Sequence, residues 1–176
     1  MKITLDVRKF NELMDFTSKF IGKDKTRPVI SQVLLEVRNG KLTATALDGY
    51  KIGKISFYNK DWEDGSMIIP PMKRMKIKDT SYVTISEDDE NIIFETATGS
   101  QSVKKFKGDF FKFDSIFPED KPKEVFRMTA GNIANALSAF PKDEYVDIEY
   151  RGEIEPLIVK GDGSIALVLP VRRPKR

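Results

Sequence analysis

The sequence predicts an α+β fold in which one βαβββ unit, a strand followed by a helix and three further strands, occurs three times. Ile3, Leu5 and Val7 alternate with polar residues, which is typical of a strand with one buried face. Residues 10–21 then carry apolar side chains at helical spacing. Asn39-Gly40, between two alternating segments, is a strong signal for a two-residue β-hairpin. These patterns favour antiparallel sheets on one face of the protein and helices on the other.

The first half-repeat covers residues 1–60. Its helix is expected to end at Gly22, because glycine is the preferred residue just past a helix C-terminus, and Pro28 prevents the helix from continuing. Its later strands are predicted at 30–38, 41–46 and 51–58.

Two further half-repeats follow, starting near residues 65 and 124. The second is predicted to contain a short basic helix at 71–77, with proline where the first helical turn tolerates it. The third is predicted to contain a helix over 129–140, capped by Thr129. Their strands are predicted at 67–69, 82–86, 92–96, 102–106, 125–128, 145–150, 156–160 and 165–171. The predicted domains are a complete two-repeat domain at 1–118 (half-repeats 1–60 and 65–118), a linker at 119–123, and a half-domain with a basic tail at 124–176.

Composition argues against an enzyme. The 176 residues include no cysteine and no histidine. Disulfides, thiolate metal sites, the commonest general base and the usual zinc ligands are therefore all excluded. We expect neither a metal nor another cofactor. No apolar run approaches the roughly 20 residues that a membrane span needs, and the N-terminus lacks a signal-peptide block, so a cytoplasmic protein is expected.

The charges are segregated along the chain although the net charge is only +3. Acidic residues concentrate in predicted turns such as 87–90. Basic residues collect near the first two predicted helices, at 10–21 and 71–77, and in the C-terminal tail. This distribution can give a nearly neutral protein one basic face. The alternative interpretation of these segregated charges is that they lie on solvated surfaces that bind no partner.

Three motifs, in order, resemble the bacterial beta sliding clamp family. Residues 26–52, which hold the Asn-Gly hairpin and end in Leu47-Asp48-Gly49-Tyr50-Lys51-Ile52, resemble the family's middle domain. The segment 108–118 resembles the Gly-x-Phe-Pro-Asp-Tyr-x-x-Val-x-Pro exit from that domain. The segment 165–172 is similar to the family's terminal Leu-Val-Met-Pro-Met-Arg. The resemblance implies the DNA-clamp fold, with residues 1–118 as the second domain and 124–173 as the last half of the third.

The resemblance also implies a function without catalysis: a processivity factor that encircles duplex DNA and docks a replicative polymerase, and in the family also a clamp loader. Partners insert a short extended peptide into a pocket between the second and third domains. The matching positions here are Ile30, Leu47, Gly49, Tyr50, Lys51, Ile52, Phe111, Ser115, Ile116, Leu167, Val168, Leu169, Pro170, Val171 and Arg172. Without the resemblance, the aliphatic members of this set would be interpreted as ordinary core.

Several positions depart from the family pattern. The exit proline is replaced by Phe111 and the tyrosine by Phe113, and the methionines flanking the terminal proline are Leu169 and Val171. Methionine adapts its shape readily, so its replacement predicts a stiffer pocket with altered partner specificity.

Contact with DNA is expected through basic residues on or beside the first two predicted helices. Contacts of this kind would be to phosphates, independent of base sequence and sensitive to salt. The candidates are Arg8, Lys9, Lys19, Lys23, Lys25, Lys73, Arg74, Lys76 and Lys78. The third predicted helix carries no basic residue, so the lining would be uneven.

Chain length leaves the assembly open. Twelve half-domains close the family's ring, so chains of three half-repeats would close it as a tetramer, with a trimer or a dimer as alternatives. A clamp homologue without a ring, which binds polymerase or loader motifs as a regulator or inhibitor, is the second functional hypothesis. A carboxylate-dependent metal enzyme using Asp48, Asp61, Asp64 or the 87–90 run is the third.

Overall fold

A computed structural model describes residues 1–24, 26–76, 81–113 and 116–171. The chain divides into two compact units, Met1–Phe113 and Asp114–Arg176, called here the N-terminal and C-terminal units. The fold is mixed, mostly antiparallel sheet with few helices. Among the described residues, neither α-helix is long and apolar enough to cross a membrane.

The N-terminal unit contains two four-stranded antiparallel sheets and one α-helix, α1. One sheet has the order β1-β6-β7-β8 and the other β4-β3-β2-β5. The elements in chain order are β1 (Lys2–Asp6), α1 (Val7–Thr17), a 3-10 helix (Pro28–Ser31), β2 (Val33–Arg38), β3 (Lys41–Leu47), β4 (Ile52–Tyr58), β5 (Gly65–Ile69), β6 (Tyr82–Glu87), β7 (Asn91–Thr96) and β8 (Gly99–Lys104).

The two half-repeats of this unit exchange their first strands. Strand β1 opens the first half-repeat but pairs with β6 of the second, with Leu5 opposite Val83. Strand β5 opens the second half-repeat but pairs with β2 of the first, with Ile69 opposite Val33. Neither half-repeat therefore completes its own four-stranded sheet without the other.

Helix α1 supplies the centre of the core. Its side chains Phe10, Leu13, Met14 and Thr17 are all buried, and the Phe10 ring meets Phe94 edge-on at 6.2 Å. The Asp6 carboxylate caps the helix by accepting a hydrogen bond from the Arg8 N–H at 2.7 Å. The Asn39-Gly40 turn prediction is confirmed by positive φ at both residues, +51° and +71°.

Two predictions about the first helix and the strand after it were wrong. It ends at Thr17, with Ser18 as C-cap, rather than at Gly22. Gly22 instead donates its N–H to the Ile30 carbonyl at 2.8 Å, and Ile30 lies in the 3-10 helix rather than in a strand. The Gly22 position is crowded: a Cβ there would lie 2.4 Å from Ile30 Cδ1.

The predicted basic helix at 71–77 was also wrong over its described part, residues 71–76, which form no helix. This segment, called the strap, lies against α1 and is held by Asn11. The Asn11 amide donates to the Met75 carbonyl at 2.9 Å and accepts from the Met75 N–H at 2.8 Å. The Met75 N–H and carbonyl are therefore hydrogen-bonded to a side chain and are not available for helical hydrogen bonds. In addition, a helix as short as the one predicted at 71–77 would be only marginally stable by itself. The last predicted position, Ile77, lies outside the described residues.

The C-terminal unit contains one helix and one three-stranded antiparallel sheet of order β11-β10-β9. Its elements are α2 (Ala130–Ser138), β9 (Asp147–Glu149), β10 (Leu157–Lys160) and β11 (Ile165–Val168). Thr129 is the N-cap position of α2, but its side chain makes no capping hydrogen bond. Residues 125–128 are called here the leading segment. The prediction of a strand over them was wrong, because they belong to no sheet.

Candidate functional site

The turn at 48–51 is built around the Asp48 carboxylate. Asp48 Oδ1 accepts hydrogen bonds from the Tyr50 and Lys51 backbone N–H groups, each at 3.0 Å, and Lys51 Nζ lies 3.6 Å from Oδ2. Gly49 has φ +96°, a conformation that glycine adopts without strain. The turn joins Leu47 to Ile52, which are paired across β3 and β4. It holds Tyr50 with 98% of its surface exposed.

Protonation of Asp48 is expected to loosen this turn. Burial alone would raise the pKa of Asp48, but hydrogen bonds from the Tyr50 and Lys51 N–H groups and the Lys51 charge outweigh it and lower the pKa. A lowered pKa in the folded state means that the stabilisation is complete above the unfolded pKa, about 3.9, and is lost as pH falls through the folded value. The Tyr50 and Lys51 amide shifts should therefore titrate together below that pH in an NMR series.

Asp48→Asn provides the control for this titration. The asparagine keeps an oxygen acceptor for the turn but removes the ionisable group. Its two amide shifts should not move across the same pH range. A common midpoint at or above about 3.9 in the parent protein would contradict the prediction.

Arg27 lies beside this turn, and the sequence did not indicate it as a site residue. A Cβ built on Gly49 would lie 3.4 Å from the Arg27 guanidinium. Arg27 Nε also donates to Asp24 Oδ2 at 2.9 Å. Hydrogen bonds from the Thr26 side chain and backbone, and then from Arg27, lower the pKa of Asp24 to about 2. In the sequence, Arg27 is notable only as an arginine directly before Pro28. The tertiary structure is what brings it close to Gly49.

The other pocket candidates of the N-terminal unit differ in accessibility. Ile30 is 1% exposed and packs on Gly22, so its side chain is not accessible to a partner. Leu47 and Ile52 are half-buried and Lys51 is exposed. Phe111 is 43% exposed, whereas Phe113, at the family's tyrosine position, is buried beneath the Lys54 ammonium, which lies 4.4 Å from its ring centre.

In the C-terminal unit, the candidates alternate in exposure along β11 and the residues after it. Leu167 and Leu169 are exposed, Val168 is buried between them, Pro170 is half-buried and Val171 is exposed. Ile116, on the exit segment, is 63% exposed. Ser115 and Arg172 lie outside the described residues.

Basic side chains from α1 and the strap converge on one cleft of the N-terminal unit. This basic cleft is lined by Arg8, Asn11, Glu12, Asp15, Phe16, Lys19 and Arg74. Arg74 Nε lies 3.5 Å from Asp15 Oδ2, which joins the strap to the exposed face of the helix. The Asn11 contact with Met75 is what brings Arg74 to this face.

The remaining DNA-contact candidates are all exposed where the structure describes them. Lys9 lies on α1, Lys23 lies between α1 and the 3-10 helix, and Lys73 and Lys76 lie on the strap. Lys25 and Lys78 lie outside the described residues. Helix α2 carries no charged residue.

Four of the carboxylates considered for a metal enzyme, those of Asp48, Asp64, Glu87 and Asp88, are engaged in turns or ion pairs. Asp64 accepts from the Asn39 N–H at 2.7 Å, and Asp88 accepts from the Glu90 and Asn91 N–H groups. Glu87 lies 3.1 Å from the N-terminal ammonium. Within the described ranges, no three acidic side chains are arranged to hold a metal ion.

Known proteins with the same fold are bacterial sliding clamps. The structure aligns with the beta sliding clamp of C. crescentus at a TM-score of 0.82 and 18% identity, over 96% of this chain and 50% of that one. It aligns with a Pseudomonas aeruginosa DnaN sliding clamp (DNA polymerase III subunit beta), solved with griselimycin bound, at a TM-score of 0.76 and 17% identity, over 97% of this chain and 50% of that one. No protein-family model matches the sequence.

Sequence comparison points the same way. The chain is 24% identical over 123 residues to the beta sliding clamp of Chlamydia trachomatis, a match that covers 66% of this chain and 29% of that protein. The structure therefore has the DNA-clamp fold. Among proteins with that fold, the chain is similar to the bacterial beta sliding clamp. It spans half the length of the C. crescentus and Pseudomonas aeruginosa clamp chains.

Proposed function

We propose that this protein is a sliding clamp, a non-enzymatic processivity factor that encircles duplex DNA as a ring of several identical chains. The observation that carries the proposal is the basic cleft. In a clamp-fold unit, Arg8 of α1, Lys19 just after α1 and Arg74 of the strap reach one surface. Acidic Glu12 and Asp15 share that surface, which limits the strength of phosphate contact. Weak, sequence-independent contact permits sliding, whereas tight or base-specific contact would prevent it.

The proposed partner site is the peptide pocket inferred from the sequence. Tyr50, held out by the Asp48-capped turn, and the neighbouring Arg27 would contribute one aromatic and one cationic contact. In the C-terminal unit, taken by itself, Leu167 and Leu169 are exposed apolar side chains. The aromatic and cationic groups beside the 48–51 turn suit an extended peptide with an apolar anchor and a carboxylate, as in a polymerase or clamp-loader tail. The protein would then act in the cytoplasm beside the replication machinery.

Topological retention on DNA tests this function. A dilute solution of the protein is mixed with a nicked circular plasmid and then concentrated so that the protein assembles. Gel filtration at moderate salt separates plasmid-bound protein from unbound protein. We expect the protein to stay with the circle and to be lost after a restriction enzyme linearises it, because a ring slides off free ends. Equal retention on circular and linear DNA would indicate ordinary binding and would contradict the proposal.

A second candidate function is compatible with the exposed Tyr50 of the 48–51 turn, which could contact a peptide without a ring. A clamp relative without a ring could occupy polymerase or loader peptides through the Tyr50 pocket and so regulate replication. This function predicts peptide binding by a single chain together with no selective retention on circular DNA. The retention experiment therefore distinguishes the two.

A further inference from the structure

The C-terminal unit is an unfinished copy of the fold seen in the N-terminal unit. Strand β9 pairs with β10 on one side, and no strand of the described residues pairs with its other side. In the N-terminal unit, the corresponding positions beside β2 and β6 are filled by β5 and β1, each from the other half-repeat. The C-terminal unit holds a single half-repeat, so the exchange has no partner within it.

The leading segment matches β1 residue for residue. Counted back from the first helical residue, Val7 or Ala130, Phe126 corresponds to Ile3 and Met128 to Leu5. The residue between them is also held alike in the two units. The Thr4 carbonyl accepts from Trp62 Nε1 at 3.1 Å, and the Arg127 carbonyl accepts from the Val171 N–H at 2.7 Å. The leading segment is thus attached within its own unit, also through the Phe126 ring, which stacks on Tyr150 at 4.9 Å, but no strand of the described residues pairs with it.

The apolar face of α2 is correspondingly uncovered. The α1 positions Phe10, Leu13, Met14 and Thr17 are all buried. The positions at the same count from the start of α2 are Ile133, Ala136 and Leu137 on the helix and Phe140 just after it. None of these is buried, and Leu137 is 38% exposed. Since α2 carries no charged residue, a partner could cover it without burying a charge.

The sheet has a matching uncovered position. Ile148 on β9 lies opposite Val159 on β10, so the two side chains share one face. Val159 is fully buried, yet Ile148 is 57% exposed. Ile148 corresponds to the inward side chains of β2, where Leu35 is covered by Met67 of the neighbouring strand. A strand added beside β9 would cover Ile148 in the same way.

We propose that the C-terminal units of two copies of this chain complete one clamp domain by reciprocal exchange of their leading segments. Each copy adds residues 125–128 as an antiparallel strand beside the partner copy's β9, with Phe126 opposite Ile148 and Arg127 opposite Asp147. The interface is isologous, because every contact occurs twice about a two-fold axis. The inference rests on the proposed ring, for which it supplies one of the subunit boundaries.

A second copy suits this surface because the required segments complement each other in charge and polarity. On the outer face, cationic Arg127 meets anionic Asp147, and both side chains are exposed in the single chain. On the inner face, Phe126 meets Ile148, an aromatic–β-branched pair of the kind that stabilises neighbouring strands. The two uncharged helices would then cover each other's unfilled core, as both half-repeats cover the core of the N-terminal unit.

Solution mass gives the first test. Light scattering of the 176-residue chain over a concentration series should show two chains or an even multiple, and Ile148→Asp should halve that mass by placing a charge in the completed core. Ile154→Asp is the matched control, since Ile154 belongs to the same unit and is 76% exposed. It should leave the mass unchanged. A parent protein that stays monomeric, or an oligomer that Ile148→Asp does not reduce, would overturn the proposal.

Disulfide formation between two different variants tests the pairing itself. The chain contains no cysteine, so Arg127→Cys and Asp147→Cys each introduce one thiol. Mild oxidation of an equimolar mixture should give a covalent dimer on a non-reducing gel, whereas neither variant alone should give one. Asp143→Cys replaces Asp147→Cys as the control, because it is exposed but lies outside β9. No dimer in the first mixture, or equal dimer with the control, would count against the exchange.

These outcomes are separable from the fate of the proposed function. If Ile148→Asp halves the mass while the parent protein is lost equally from circular and linear DNA, the exchange stands and the clamp function fails. If Ile148→Asp retains full mass and selective retention on circles, the clamp function stands and the exchange is wrong.

Discussion

Replacing Asn11 by alanine should detach the strap from α1 and expose it to proteases. The Asn11 amide makes two hydrogen bonds to the Met75 backbone, and its own surface is 3% exposed. Each of the two partners left unsatisfied in this partly buried site costs about 1–3 kcal/mol, so the N-terminal unit should lose about 2–6 kcal/mol of unfolding free energy. The Met75 N–H should lose its protection from hydrogen exchange, and trypsin should cut faster after Lys73, Arg74 and Lys76.

The loss of protection caused by Asn11→Ala should be confined to the strap. Protection elsewhere in the N-terminal unit therefore serves as an internal control. Amide protons of the central strands β3 and β7 should keep most of their protection, because their ladders do not involve Asn11. Ser18→Ala supplies a matched variant, since it removes an exposed side-chain hydrogen bond to the Asp15 carbonyl of the same helix. It should not change the exchange of the Met75 N–H. An Asn11→Ala protein whose strap exchanges and digests at the parent rate would contradict this account.

Neutralising the basic cleft should weaken DNA binding and reduce its salt dependence. In a variant with Arg8, Lys19 and Arg74 all changed to glutamine, each lost phosphate contact should lower the slope of log K against log salt by about 0.9. Affinity for a short duplex at low salt should fall by roughly tenfold or more, because this counterion-release term dominates sequence-independent binding. Fluorescence anisotropy of a labelled duplex across a salt series measures both quantities.

Net charge alone could also lower affinity, so the control removes the same charge elsewhere. Lys41, Lys60 and Lys104 are exposed and line no part of the cleft. Changing these three to glutamine should alter the slope much less than the cleft variant does. Equal slopes in the two triple variants would show that the cleft is not the DNA contact surface.

Local sequence patterns were enough to predict most strands and both α-helices of the described structure. The reason is that alternation, helical spacing and the Asn39-Gly40 turn act over a few residues and need little help from the rest of the chain. Boundaries were less accurate: β9 is three residues long where six were predicted. A strand ends where its hydrogen-bonded pairing with neighbouring strands ends. Since β9 pairs with β10 alone, over three residues, it is shorter than the sequence pattern predicted.

The wrong predictions share a cause. Residues 71–76 have a composition compatible with a helix, but Asn11, 64 residues away in the chain, binds the Met75 backbone and holds the segment as a strap. Gly22 was interpreted as a helix cap, whereas its small size serves close packing on Ile30. Each outcome depends on a residue distant in sequence, which no local pattern can reveal.

The candidate site divides in the same way. The resemblance to sliding clamps identified the 48–51 turn and the basic residues near α1, and these positions remain predictions as binding residues. It did not identify Arg27, whose place beside Gly49 follows from how the segment after α1 folds back on the β3–β4 turn. It also did not indicate that Ile30 would be fully buried.

The sequence by itself determined the α+β class, the repeated order of elements and the family to which the chain is related, because these follow from residue spacing and local motifs. Only the tertiary structure decided that the half-repeats exchange their first strands, that the strap replaces a helix, and that α2 and Ile148 lack the cover that α1 and Leu35 have. The physical reason is that strand pairing and core burial are satisfied between segments distant in the chain, so the sequence of one segment does not specify which other segment completes it.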